Sequence, residues 1–269
     1  MLVLFSIPKA LRKPWVFIAS CYFYMVFKPI YLLILFAIIG IDFIAAKKIE
    51  HSISNKKKWL VLSLVANLGI LFFYKYFNFF SDNLNVVFDL FQTKNQIPAL
   101  DFILPIGLSF HTFQAMSYTI EVYRGKQNAE NNLLDYCIYV LYFPQLVAGP
   151  IERPQHLLPQ IKKTIFFNSD FISKGLLLIG VGLFKKVVIA DRLALFVDPV
   201  FNDLSHSNGL SVLIAVVFFS FEIYCDFSGY SDIAIGASKM MGIDLMQNFN
   251  SPYLSSSFSM FWSRWHISL

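Results

Sequence analysis

The stretch WVFIASCYFYMVFKPIYLLILFAIIGIDFIAA, residues 15–46, sets only Lys28, Pro29 and Asp42 against an otherwise apolar run. A bilayer core of about 30 Å takes about 20 helical residues. The run is therefore either one long span or a hairpin that turns at Lys28-Pro29. The flanking charges decide between the two. Lys9, Arg12 and Lys13 precede it, and Lys47, Lys48, Lys56, Lys57 and Lys58 follow. A hairpin puts both basic clusters on the cytoplasmic face, as the positive-inside rule prefers, whereas one span would split them.

The same reasoning carries outward along the chain. Residues 59–80 cross outward, and the loop 81–101 holds Asp82, Asp89 and Asp101 against Lys94, as an outer loop does. Residues 104–122 return and end at Arg124 and Lys126. The apolar stretch 133–148 is short, contains Pro144 and Gln145, and runs into Gly149-Pro150. It reads as a re-entrant helix, which is tolerated only where protein or a water-filled cavity covers its freed backbone groups. Lys162 and Lys163 hold the next loop inside, 171–190 cross outward, 191–209 lie outside, and 210–225 come back. Residues 226–269 then emerge on or near the cytoplasmic face. The expected fold is an all-α polytopic membrane protein, with 1–269 as a single membrane domain.

Composition agrees. Hydrophobic residues make up 57% and charged residues 14%, against roughly a quarter charged in soluble domains. Aromatics at 17% suit a packed interior or a greasy tunnel. The net charge of +5 lies in short clusters between apolar runs, which speaks for membrane orientation and contact with membrane lipids and against a nucleic-acid footprint. Cys21, Cys137 and Cys225 each sit in an apolar segment at spacings that fit neither disulfides nor a zinc knuckle. Residues 1–7 lack the basic start and cleavage site of a signal peptide.

No common catalytic motif of hydrolases, metalloproteases or P-loop proteins occurs. Gly180 and Gly182 read as close helix packing inside a span. Chemistry concentrates in the last third. Glu222 and Asp226 stand four apart, on one helix face, within FSFEIYCDFSGYSD (219–232). Carboxylates at membrane depth face a cavity or a partner. The plainer reading is an interfacial helix end at which Asp226 or Ser228 caps the next helix. In FSMFWSRWHISL (258–269), helical spacing gathers Phe258, Phe261, Trp262, Trp265 and Leu269 into one apolar stripe, with His266 beside it and Arg264 on the far side. His266 reads either as a satisfied interfacial residue or as a general base in a partly dry site.

Five strings, LPIGLSFHTFQ (104–114), YFPQLVAGP (142–150), LFKKVVIADR (183–192), DFSGYSD (226–232) and FWSRWHISL (261–269), resemble membrane-bound O-acyltransferases of the alginate O-acetyltransferase branch. The resemblance implies a bundle of transmembrane and re-entrant helices around a central tunnel. In such a tunnel an acyl group passes from a cytoplasmic thioester donor, acetyl-CoA, to hydroxyls of a cell-envelope polysaccharide, beside an extracytoplasmic acetyltransferase partner. It implies no bound cofactor and no metal, and a multi-pass place in the cell membrane. His266 matches a tunnel histidine and is the catalytic candidate. A second histidine of the family, in a later Trp-His-Gly segment and regarded as the catalytic one in the relatives, has no counterpart before Leu269. The chain as given is thus expected to lack the family's C-terminal helices and part of a first helix, and to transfer poorly. Asp226, Ser228, Tyr230, Asp232, Trp262, Arg264, Trp265, Gln145 and Pro150 are the candidate tunnel or substrate-binding residues. Arg264 is placed to attract donor phosphates, or is an ordinary interfacial arginine. Gln145 and the Gly149-Pro150 turn line the tunnel or form a kink. His111 stands where the relatives usually have Tyr, and no role carries over to it. Two other classes stay open: a transporter, for which broken helices and membrane-depth carboxylates also argue, and a non-catalytic scaffold.

Overall fold

The computed structural model describes residues 2–91, 97–100, 105, 107–147 and 149–269. Lys94, Asp101, Leu104, Ile106 and Ala148, on which parts of the sequence reading rest, lie outside them. Regular structure among the described residues is helical: α1 (Leu2–Ser6), α2 (Lys9–Met25), α3 (Tyr31–His51), α4 (Lys56–Leu90), α5 (Leu108–Tyr123), α6 (Leu133–Leu141), α7 (Pro154–Lys162), α8 (Ser169–Leu183), α9 (Asp191–Asn202), α10 (Gly209–Met240) and α11 (Phe258–Trp262). A π-helical stretch, Phe184–Ala190, joins α8 to α9, and 3₁₀ turns lie at Phe143–Gln145 and Pro252–Leu254. Helices α4 and α10 are long and apolar enough to cross a membrane, with mean hydropathy 1.7 and 1.9.

The chain forms two compact units. One comprises Phe17–Phe143 and Arg153–Leu158. The helix break expected at Lys28-Pro29 is present, between α2 and α3. Proline has no N–H to donate and disfavours a helical residue before it. Helices α3, α4 and α5 are pinned together at Asp42, which is fully buried. Its carboxylate accepts from Ser63 Oγ, from Asn67 Nδ2 at 2.9 Å and from Thr119 Oγ1 at 3.2 Å. These bonds supply what lipid cannot. The core is rich in tyrosine, with Tyr118 and Tyr136 rings 4.5 Å apart and Tyr136 and Tyr139 rings 6.0 Å apart. The 133–148 stretch is broken as expected. Helix α6 starts at its Asn132 cap, ends at Leu141, and is buried from Asp135 onward, so protein covers it.

One expectation in this unit is corrected. The span ending at Phe80 continues as helix to Leu90, and most of the supposed outer loop is helical. The reason is an asparagine ladder. Asn78 Nδ2 donates to Leu100 O (2.8 Å) and its Oδ1 accepts from Leu100 N (2.9 Å). Asn85, two turns on, does the same with Ile97 (2.9 and 2.8 Å). The returning segment 97–100 is thereby tied to the helix that precedes it.

The other unit comprises Met1–Val16, Pro144–Glu152 and Pro159–Leu269. Asn168 caps α8 by accepting from Asp170 N and Phe171 N, and Asn208 caps α10 by accepting from Ser211 N. Two further boundaries differ from expectation. The 191–209 loop is mostly helix α9, because the π stretch leads straight into it with Asp191 in its first turn, where a carboxylate suits the helix dipole. The span expected to end at Cys225 runs on to Met240. Glycine explains that extension. A Cβ on Gly182 would stand 2.6 Å from Gly229 O, and one on Gly175 would stand 2.5 Å from Gly236 O. Both helices carry glycine seven residues apart, so their backbones meet at two levels and α10 stays packed through its polar half. Of the two glycines expected to pack closely, Gly182 does, while Gly180 faces open space.

Candidate active site

Four of the candidate site residues lie along α10, and the other six lie in two short segments of the same unit, residues 145–150 and 262–266. Asp226, Ser228, Tyr230 and Asp232 occupy the middle of α10 and not a helix end or an N-cap, which corrects the plainer reading of that string. Two lysines of the π stretch explain how acids are tolerated there. Lys186 pairs with Asp226 and, at 2.9 Å, with Asp191. Lys185 pairs with Asp232 at 2.6 Å. The π turn lets consecutive lysines both reach α10, and such turns concentrate at functional sites. Tyr230 lies under Lys186, with Nζ 5.4 Å from the ring centroid. Ser228 is buried, and its Oγ has no hydrogen-bond partner among the described residues.

The C-terminal segment departs from the helix its spacing suggested. Helix α11 is capped by Ser257 but ends at Trp262, and Trp265 instead pairs in the bridge with Phe249. The expected apolar stripe is not formed: Phe258, Trp262 and Leu269 are exposed. The physical reason is local. A helix of about one turn lacks the length to sustain itself, whereas Trp265 gains an aromatic nest. Its ring stacks on Phe261 (5.5 Å, 17°) and meets Phe249 edge-on (5.1 Å, 87°). Arg264 is half-buried, and its carbonyl accepts from Asn250 N (3.0 Å). Trp262 lines an aromatic groove of about 470 Å³ together with Tyr253, Phe258 and Phe261.

His266 follows in a left-handed conformation, φ 50°, uncommon for a residue with a side chain. The turn is held because Ile267 N donates to Asn248 O (2.9 Å). The imidazole is half-buried, 4.8 Å from the Phe227 ring of α10. Burial pulls its pKa below the usual histidine range, which keeps the ring neutral near pH 7.

A buried chain of polar groups, not anticipated from the sequence, supports this turn. Ser268 Oγ donates to Asn248 Oδ1 and accepts from Ile151 N (2.9 Å), and Asn248 Nδ2 donates to Ser231 Oγ of α10 (3.2 Å). The Gly149-Pro150 turn is thus tied to the histidine segment one residue further on. That turn is tight. A Cβ on Gly149 would stand 2.4 Å from the Gln145 Cα, and Gly149 N donates to Gln145 O (3.1 Å). Gln145 and Pro150 are both buried. Glu152, also buried, accepts from Met246 N. A cavity of about 260 Å³ is lined by Lys185, Ser231, Asp232, Asn248 and Phe249 among others, and His266 is not among its lining residues. Asp232 and His266 therefore do not share that cavity; Phe249, which lines it, lies 5.1 Å from the Phe227 ring that His266 meets. The Lys185-Lys186 pair stands inside an apolar run, in the family-like string 183–192, and is the sequence signal for these pairings.

The arrangement offers a neutral imidazole, a partly dry aromatic wall, and acids neutralised by lysine. Comparison with known proteins agrees in kind. The model of the membrane-bound O-acyltransferase family, MBOAT, matches residues 127–269. The chain is 36% identical to the peptidoglycan O-acetyltransferase of Helicobacter pylori over 96% of its own length and 53% of that protein's. It is 42% identical to the probable alginate O-acetylase AlgI of Pseudomonas aeruginosa over 79% of its length and 40% of that protein's. It is 29% identical to the teichoic acid D-alanyltransferase of Bacillus subtilis over 64% of its length and 44% of that protein's. The chain thus spans about half the length of the curated relatives it matches.

Proposed function

The chain belongs to the membrane-bound O-acyltransferase family, and from that membership we propose that it takes part in moving an acetyl group from a cytoplasmic thioester, acetyl-CoA, towards hydroxyls of a cell-envelope polysaccharide. The observation that carries this reading is the identity, along almost the whole chain, to a protein named as a peptidoglycan O-acetyltransferase. In this reading His266 takes the proton of the attacking hydroxyl. The new bond forms between that oxygen and the acetyl carbon, the carbon–sulfur bond breaks, and the imidazole returns the proton to the leaving thiolate. The apolar wall of Phe227, Phe249 and Trp265 limits competing hydrolysis. A separate extracytoplasmic acetyltransferase completes delivery to the polymer.

The test is acceptor-dependent release of free thiol from acetyl-CoA in membranes of cells that produce the protein. Release above that of membranes without it supports the reading, and thiol release that ignores the hydroxyl acceptor overturns it. Placement in the cell membrane as a multi-pass protein belongs to the same proposal. The basic clustering puts residues 47–58 in the cytoplasm and the stretch after α9 outside. An impermeant thiol reagent applied to intact cells is then expected to label a cysteine introduced at Ser207 and spare one at Ser54. The opposite pattern reverses the orientation.

A further inference from the structure

The unit that holds α2, from Phe17 on, together with α3 to α6 contains a histidine that the proposed reaction does not use. His111 of α5 is almost fully buried. Its Nδ1 stands 3.2 Å from Val140 O. A carbonyl oxygen only accepts, so Nδ1 carries the proton and donates it, and Nε2 is left as an unprotonated acceptor. No described residue donates to Nε2. An aromatic neighbour is Tyr24 of α2, its ring 5.9 Å away and nearly perpendicular. Tyr24 is buried as well, and its Oη also has no partner among the described residues. The same holds for Thr112 Oγ1, the next residue along α5.

Buried polar atoms in folded proteins are paired with few exceptions. Orphaned groups on adjoining side chains therefore point to a guest that satisfies them. Its chemistry follows from the tautomer. Nε2 requires a hydrogen-bond donor, which excludes an anion. The phenol hydroxyl requires a group that accepts its proton, which excludes a cation. One small group does both. We propose that Tyr24 and His111 form a binding site for a hydroxyl group, in which the guest O–H donates to His111 Nε2 and its oxygen accepts from Tyr24 Oη. The guest is either an ordered water or an alcohol. The site uses no residue of the unit that holds His266, and the inference does not rest on acyl transfer.

The test reads the imidazole nitrogens directly. The other four histidines, His51, His156, His206 and His266, are replaced by asparagine, so that ¹⁵N-labelled histidine in detergent micelles reports His111 alone without removing it. The expected spectrum has a protonated Nδ1 and an Nε2 shifted upfield of a free imine nitrogen, as a hydrogen-bond acceptor is. Tyr24→Phe moves Nε2 back towards the free position. Titration with glycerol separates the two guests: a saturable shift assigns an alcohol site, and an unchanged hydrogen-bonded shift assigns water. An Nε2 at the free imine position, insensitive to both Tyr24→Phe and glycerol, overturns the proposal, and so does a proton found on Nε2. Melting of Tyr24→Phe supplies an independent reading. Loss of thermal stability is expected when the phenol holds the guest, and unchanged or raised stability counts against it.

Discussion

If His266 is the general base proposed above, replacing it by alanine is expected to lower acceptor-dependent thiol release by about 10²- to 10⁴-fold, the usual contribution of a general base, or about 2.7 to 5.5 kcal/mol of barrier. The expectation rests on three features of the residue. It is held in a left-handed turn by Asn248, it is half-buried against Phe227, and burial lowers its pKa. The pH dependence follows with a definite sign. In the proposed role the base is the neutral imidazole, and burial lowers its pKa, so the acid limb of the rate is expected at lower pH than an ordinary histidine would give. A residue that merely packs against Phe227 predicts a different result. His266→Gln would then keep the rate and abolish no acid limb. The measurement is therefore the pH profile of thiol release for the parent, His266→Gln and His266→Ala. An unaltered acid limb in both variants assigns the base elsewhere.

The second large effect is on assembly. Gly182→Ala is expected to destabilise the protein by about 1 to 3 kcal/mol, the common cost of forcing atoms into a filled contact. The added Cβ would meet Gly229 O at 2.6 Å and Ile233 Cγ1 at 2.8 Å. The first of these is backbone and cannot rotate away, so α8 and α10 must separate. Separation also pulls Lys185 and Lys186 from Asp232 and Asp226, leaving those acids without their counter-charges. Gly180→Ala is the matched control, since nothing lies within 4 Å of its added carbon and alanine is the better helix former by about 1 kcal/mol. Thermal unfolding in detergent should show a lower midpoint for Gly182→Ala and an equal or higher one for Gly180→Ala. Equal midpoints would mean that the two helices do not meet through glycine.

Much was legible in the sequence because the bilayer admits few solutions. A backbone in lipid must satisfy its own hydrogen bonds, so long apolar runs between basic clusters read as helices, and the proline at Lys28-Pro29 and the polar interruption at Pro144 read as breaks. The family was legible as well, since motif strings such as DFSGYSD and FWSRWHISL are linear. Helix ends were less so. The reading stopped helices at Phe80 and Cys225 on the appearance of polar residues. Both helices continue because remote partners accept those residues: residues 97–100 for Asn78 and Asn85, and the lysines of the π stretch for Asp226 and Asp232.

What only tertiary structure decided was the setting of individual side chains. Helical periodicity put His266 beside a stripe, yet Trp265 leaves the helix for Phe249, because an aromatic nest assembled from α10 and the segments after it outweighs one more turn of an isolated five-residue helix. Likewise nothing in its spacing marked Ser268 as the link between Ile151 and Asn248, or Asp42 as the knot of three helices. Those are contacts between residues 20 to 117 positions apart. Local sequence determines which segments bury themselves as helices through hydrophobicity and hydrogen-bond necessity, whereas the partner of a buried polar group is set by which helix faces meet.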